Sequence, residues 1–285
     1  MVDWEYYYFY SYSFADAMSP EIASRIVGHD ISTVNGCKWN ATKKRGVQKW
    51  WGRISGKRHA NRQNTKRVLG LGSIVHHARS QDTIWGSGVN PYWQDGVETG
   101  VPNEILALRG PLSKDYLESK YGLEIKCAFG DPALLLPKLF PEFSTLGKCD
   151  VLTVLAQHND EFMIEEFVGA EFSSSVYLCQ RINRKPWREV LGRILNSEYV
   201  ISSSLHGLIL ADAFGVPSRW LHSRELPSVI SEGRFKFNDY YLSTGRKENC
   251  FASSIKEALS MGPVEQPGMV DIDALIRSFP IEKFT

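Results

Sequence analysis

The chain has 285 residues, 43% hydrophobic and 23% charged, with 33 Lys and Arg against 32 Asp and Glu. Such a length supports one large domain or two of about 140 residues, each with its own core, and the composition excludes collagen-like, coiled-coil and disordered classes. The opening Met1-Val2-Asp3-Trp4-Glu5 lacks the basic and apolar regions of a secretory leader, and no uncharged apolar run is long enough to span a bilayer, so a cytosolic protein is expected.

Cys37, Cys127, Cys149, Cys179 and Cys250 are widely scattered and no pair has zinc-site spacing, which predicts reduced thiols filling cores. Charge is unevenly spread. From Ile31 to Gln81 there are twelve basic residues and no acidic one, which leaves the rest of the chain at about −11. Trp39, Trp50 and Trp51 are interleaved with these cations, a combination suited to a phosphorylated sugar or lipid-linked ligand, because rings stack on sugar faces while cations meet phosphate. Nucleic acid would use the same residue types, and a solvated basic loop over packed tryptophans is the simpler alternative.

In chain order, an aromatic strand around Tyr6 to Tyr10 leads to Ser19-Pro20-Glu21, which predicts a helix start with Ser19 as cap and Gly28 as its end. Leu69, Leu71, Ile74, Val75 and Ala78 have helical spacing, weakened by Gly70 and Gly72. Alternating elements follow: strands at Thr83 to Trp85, Ile105 to Leu108 and Glu124 to Phe129, helices at Pro111 to Lys120 and Pro132 to Leu139. Punctuation from Leu139 to Gly147 marks a boundary, giving an N-terminal domain 1–147 and a C-terminal domain 148–285. The second alternation has strands at Val151 to Ala156, Ser175 to Leu178 and Glu198 to Ser202, and helices at Trp187 to Leu195 and Leu205 to Phe214. The expected fold is α/β, with two Rossmann-like domains facing a cleft and the last helix packing back on the first domain.

Four corners carry candidate chemistry. Ser202-Ser203-Ser204-Leu205-His206-Gly207 takes a strand into a helix, so His206 falls in the first turn beside free N–H groups suited to a phosphate. Trp85-Gly86-Ser87-Gly88 lets backbone approach a ligand, although no Walker or dinucleotide fingerprint is present. Arg109 ends an apolar strand before Gly110-Pro111, where a planar cation faces the ligand crevice of a parallel sheet; a surface salt bridge is the alternative. Asp131, before Pro132, is expected mainly as a helix cap.

Together and in this order these segments resemble the polysaccharide pyruvyltransferase family. The matching stretches are Ser13-Phe14-Ala15-Asp16, Trp85-Gly86-Ser87-Gly88, Leu108-Arg109-Gly110-Pro111-Leu112-Ser113, Gly130-Asp131-Pro132, Gln157-His158-Asn159-Asp160, Ser203-Ser204-Leu205-His206-Gly207 and Phe235-Lys236-Phe237-Asn238-Asp239-Tyr240-Tyr241. Ala15 stands where the family has glycine, and Gln157 where proline commonly precedes His158. The resemblance implies a fold like the GT-B glycosyltransferases and phosphoenolpyruvate as co-substrate, with no further cofactor or metal. The acceptor it implies is a sugar or lipid-linked oligosaccharide, bridged as a pyruvate ketal at the inner membrane face, with no nucleic acid partner. It further implies that Arg109 and His206 hold and activate the donor. From the chemistry required we expect His206 as general acid and base, Ser204, Leu205, His206 and Gly207 as the phosphate site, and Asp16 as base on the acceptor hydroxyl. Lys236, Arg224, Ser87 and Gly88 complete the expected donor site. A GT-B glycosyltransferase using a nucleotide sugar and a noncatalytic binding protein for anionic glycan or nucleic acid are the competing expectations.

Overall fold

A computed structural model describes residues 4–8, 14–35, 65–92, 100–143, 150–155, 176–179, 185–222, 227–264, 268 and 270–285. Within them the chain forms two parallel sheets. The first joins β1 (Trp4–Tyr8), β2 (Thr33–Asn35), β3 (Lys66–Leu69), β4 (Thr83–Ser87), β5 (Glu104–Leu108) and β6 (Ala128–Phe129) in the order β2-β1-β3-β4-β5-β6. The second joins β7 (Asp150–Leu155), β8 (Val176–Cys179), β9 (Ser197–Ser202), β10 (Ser218–Leu221) and β11 (Phe251–Ala252) in the order β11-β10-β9-β7-β8. Around them lie α1 (Met18–Val27), α2 (Pro111–Tyr121), α3 (Leu136–Leu139), α4 (Trp187–Leu195), α5 (Leu205–Ala213), α6 (Pro227–Ser243), α7 (Ile255–Met261) and α8 (Ile272–Arg277).

Successive strand residues point to opposite faces, and both faces of each sheet are covered. Tyr6, Val68 and Val200 enter one continuous apolar cluster that also takes Trp85, Leu155, Leu208, Trp220, Tyr240 and Leu275, so residues from both sheets share a core. Their neighbours Tyr7 and Leu69 join a second cluster with Leu108 and Leu117, while Ile201 joins a third with Leu221, Ile255 and Ala258. Helices and strands cross between the halves: the Trp187 indole donates to Glu21 at 3.0 Å, and the Trp85 indole donates to the Leu275 carbonyl at 3.0 Å. Phe279 meets Trp85 edge-on at 4.7 Å, and Lys283 pairs with Glu104 at 2.6 Å.

Several boundaries differ from the sequence expectations. A 3-10 turn, Phe14–Ala17, feeds straight into α1, so Ala17 is the cap and Ser19 lies inside the helix. Its buried hydroxyl meets the Tyr6 hydroxyl at 3.1 Å. Gly28 does end α1, at φ 86°. The apolar run from Leu69 to Ala78 is not a helix: Leu69 ends β3, and only a 3-10 turn, Val75–His77, follows. Pairing of β3 with both β1 and β4 outweighs the helical spacing. The strand expected over Glu124 to Phe129 shrinks to Ala128–Phe129, and Pro132 to Leu139 begins as a 3-10 turn, Pro132–Leu135, before α3. Cys127 and Cys250 are free thiols, and burial pushes Cys127 up to about 11, which keeps it protonated.

Candidate functional site

Strand order in the second sheet reverses between β7 and β9, and the carboxyl ends of strands at such a switch point form a natural binding crevice. Ser202 to Ser204 occupy that place. The Ser203 N–H donates to the Leu155 carbonyl at 3.0 Å, and the Ser202 hydroxyl accepts the Ser204 N–H at 3.0 Å, which ties β9 to β7 and sets the angle at which α5 departs. Ser204 is the N-cap, yet its side chain makes no capping bond, so the first turn of α5 is not closed by a side chain. Leu205 is buried in the core, and a Cβ on Gly207 would sit 2.4 Å from the Ser202 hydroxyl oxygen. Those two residues seat the helix, and His206 is the one in this turn whose side chain keeps partial access, at 12% exposure.

Facing His206 is Asp131, fully buried, at the carboxyl end of β6. One carboxylate oxygen accepts the Ala133 N–H at 2.9 Å, the expected cap. The other lies 3.7 Å from His206 Nε2, beyond hydrogen-bond length, and both atoms are buried without a hydrogen-bond partner. A buried carboxylate oxygen and an imidazole nitrogen therefore face one another across a gap that no described side chain fills. Sequence reasoning saw the cap and missed this second oxygen, because α5 meets the 3-10 turn at Pro132–Leu135 only through tertiary packing.

Arg109 is elsewhere in the network. Its side chain is 1% exposed and pairs with Asp239 of α6 at 3.1 Å, while also donating to Ser73 Oγ at 2.7 Å and to the Val89 carbonyl at 3.4 Å. Asp239 further accepts the Ser113 N–H at 2.9 Å and the Ser113 hydroxyl at 2.6 Å. A Cβ at Gly110 would sit 1.9 Å from the Asp239 carbonyl oxygen, and one at Gly88 would sit 2.2 Å from the Arg109 guanidinium carbon. The Arg109-Gly110-Pro111-Leu112-Ser113 segment is therefore a socket for Asp239. The surface salt bridge weighed as the alternative for Arg109 is instead a buried one.

Ser87 is fully buried and internally bonded: its hydroxyl donates to the Gly72 carbonyl at 2.9 Å and accepts the Ile74 N–H at 3.2 Å. Asp16 is half-buried in the 3-10 turn after β1, which packs on α4. Lys236 is half-buried on α6, its ammonium 5.4 Å from the Phe237 ring. Arg224, Gln157, His158 and the basic stretch 36–64 with Trp39, Trp50 and Trp51 lie outside the described residues. Among the described residues no group of three or more His, Cys, Asp or Glu is placed to hold a metal ion. A groove of about 760 Å³ lined by Pro20, Glu21, Arg25, His29, Phe140 and Arg188 shares no residue with this constellation.

Residues 103–223, which carry Arg109, Asp131 and His206, match the family described as polysaccharide pyruvyl transferase. Over that stretch the chain is similar to the polysaccharide pyruvyl transferases. It is similar to succinoglycan biosynthesis protein ExoV of Rhizobium meliloti, at 26% identity over 187 residues, covering 62% of this chain and 54% of ExoV. The match thus spans about half the length of that relative. It is also similar to an uncharacterized protein of Acanthamoeba polyphaga mimivirus, at 23% identity over 209 residues, covering 72% of this chain and 71% of that protein. A crystal structure of a functionally uncharacterized protein from Klebsiella pneumoniae aligns over 89% of this chain and 91% of its own, with 11% identity and a TM-score of 0.46. Asp16 and Asp239 lie outside the stretch shared with the polysaccharide pyruvyl transferase family, whereas the Asp131–His206 pair lies wholly within it. No described helix is long and apolar enough to cross a membrane.

Proposed function

We propose that this chain transfers the pyruvyl group of phosphoenolpyruvate to two hydroxyls of a sugar, forming a ketal and releasing phosphate, in the biosynthesis of an exopolysaccharide. The observation that carries this reading is the Asp131–His206 pair beside the first turn of α5, at the switch point of the second sheet and inside the stretch matched to the family. The donor is an enol phosphate. A proton must go to its methylene carbon, which becomes methyl, and the first hydroxyl oxygen bonds to the neighbouring carbon as the oxygen loses its proton. The carbon–oxygen bond to phosphate then breaks, and the second hydroxyl closes the ketal, its proton leaving with phosphate. His206 delivers the first proton, with Asp131 steadying the charged imidazole. The N–H groups at the start of α5 receive the phosphate as its charge builds.

Asp16 is assigned as base on the acceptor hydroxyl, with 1–147 as the acceptor side and 148–285 as the donor side of a GT-B-like pair. Arg109 acts through Asp239, holding α6 against the first sheet, and reaches the donor directly only if that ion pair opens. A lipid-linked oligosaccharide at the membrane face is the acceptor class that fits the basic segment.

Calorimetric titration with phosphoenolpyruvate tests the reading without knowledge of the acceptor. The wild type should bind, and His206→Ala should bind at least about tenfold more weakly with its melting temperature retained. Tight binding of uridine or guanosine diphosphate with none of phosphoenolpyruvate would replace this reading with a nucleotide-sugar glycosyltransferase.

A further inference from the structure

Beside the α5 start, on the neighbouring strand, lies a second group of side chains with no part in the donor chemistry above. His222 follows the last residue of β10, whose partner β9 leads into His206. Trp220, two residues earlier and on the same face of the strand, has its ring 5.3 Å from that of His222. Phe251 of β11 meets the His222 ring edge-on at 5.2 Å, and the Arg234 guanidinium from α6 stands over the same Phe251 ring at 4.8 Å. Gly233 brings α6 in closely, since a Cβ there would lie 3.3 Å from His222 Cε1. The result is an aromatic-walled corner holding an arginine and a histidine.

Its nitrogens want an acceptor. His222 Nε2, Arg234 Nε and Trp220 Nε1 are all buried without a hydrogen-bond partner. Trp Nε1 and Arg Nε can only donate, and imidazole donates from either nitrogen according to tautomer. Buried donors left unmet cost free energy. Among the described residues the charged groups felt at His222 are Arg234 and Lys236, both positive, and burial followed by these two cations pushes its imidazole down to about 4. An imidazole and a guanidinium donor with an excess of positive charge among the described residues, at the carboxyl end of a parallel strand, fit an oxyanion and would repel a cation.

We propose that His222 and Arg234 form a phosphoryl-binding subsite next to the His206 crevice, which takes a phosphate or diphosphate group of one of the two substrates. Adjacent strands are about 4.8 Å apart, so a group bound here lies alongside one bound at the α5 start. The inference goes beyond the donor assignment and stands without it.

Histidine-ring NMR at neutral pH reads the subsite directly, with the His222 signal assigned from its loss in His222→Asn. Inorganic phosphate should shift that signal saturably, pyrophosphate should do so at lower concentration, and Arg234→Gln should weaken both by about tenfold or more with the melting temperature kept. A His222 signal unmoved by about 10 mM phosphate or pyrophosphate overturns the subsite, as does unchanged affinity in folded Arg234→Gln. Adding phosphoenolpyruvate to the phosphate-loaded protein then identifies the source. Displacement from His222 assigns the subsite to the donor, and retention assigns it to a phosphorylated acceptor. Phosphate binding at His222 together with no phosphoenolpyruvate effect at His206 would leave this subsite in place while removing the donor reading.

Discussion

One oxygen of Asp131 accepts the Ala133 N–H and the other faces His206, so two substitutions separate the two roles. Asp131→Asn keeps an acceptor for the cap and removes the charge; turnover should fall by about 100-fold with melting temperature nearly unchanged, as loss of a proton-transfer partner does. Asp131→Ala should lose the same turnover and in addition about 1 kcal/mol of stability from the missing cap. Equal turnover of wild type and the Asn variant would remove the carboxylate from the mechanism. Arg109 calls for a different measurement. Removing it strands the Asp239 carboxylate at 0% side-chain exposure, so Arg109→Ala should cost about 3–5 kcal/mol in urea unfolding. The double variant with Asp239→Ala should cost less than the sum of the two single changes, because the stranded charge is gone. A fully additive cycle would mean that the pair is not coupled.

At the scale of elements, three of the chain's motifs are docking devices. Arg109-Gly110-Pro111-Leu112-Ser113 starts α2 with proline at its first position and at the same time receives Asp239, so the end of β5, the start of α2 and the middle of α6 are fixed by one carboxylate. Gly88 gives the Arg109 guanidinium its space. Gly207 does the same for α5 against β9. Gly207→Ala would drive its methyl into the Ser202 hydroxyl at 2.4 Å, and about 1–3 kcal/mol of destabilisation is expected, partly relieved by Ser202→Ala. Thermal unfolding of the single and double variants checks this; an unaffected Gly207→Ala protein would show that the helix start yields freely. Because His206 is the preceding residue, the same shift should also lower turnover.

For the molecule as a whole, stability is tied to pH through half-buried histidines. Burial, with His77 and Lys120 nearby, pushes the His76 imidazole from the usual 6.5 down to about 3, and His222 goes down to about 4. Each is neutral when folded but takes up a proton below about 6.5 when unfolded. The unfolded chain therefore binds more protons between those values, and folding stability falls as pH drops through that window. The melting temperature should decline on acidification from about pH 7 to about pH 5, and His76→Asn should flatten the decline. An identical slope in that variant would mean that His76 titrates normally. The core shared by both sheets makes one cooperative transition the expected form of these measurements.

The sequence by itself determined the alternation of strands and helices from Thr83 onward, because caps, proline positions and short apolar runs act over a few residues. The helix from Trp187 to Leu195 is expected and observed with the same ends, and Gly28, Asp131 and Pro111 perform the local tasks their types predict. It also carried the family resemblance, through the order of its motifs. Tertiary structure decided what those motifs touch. The stretch from Leu69 to Ala78 has helical spacing, yet β1 and β4 flank its first residue and draw it into a strand. Arg109 reads as a crevice cation until α6 delivers Asp239, and Asp131 reads as a cap until α5 turns His206 toward its second oxygen. His222 and Arg234 come from separate elements and both meet the Phe251 ring. Such pairings depend on which faces two distant elements bury together, and local spacing carries no record of that choice.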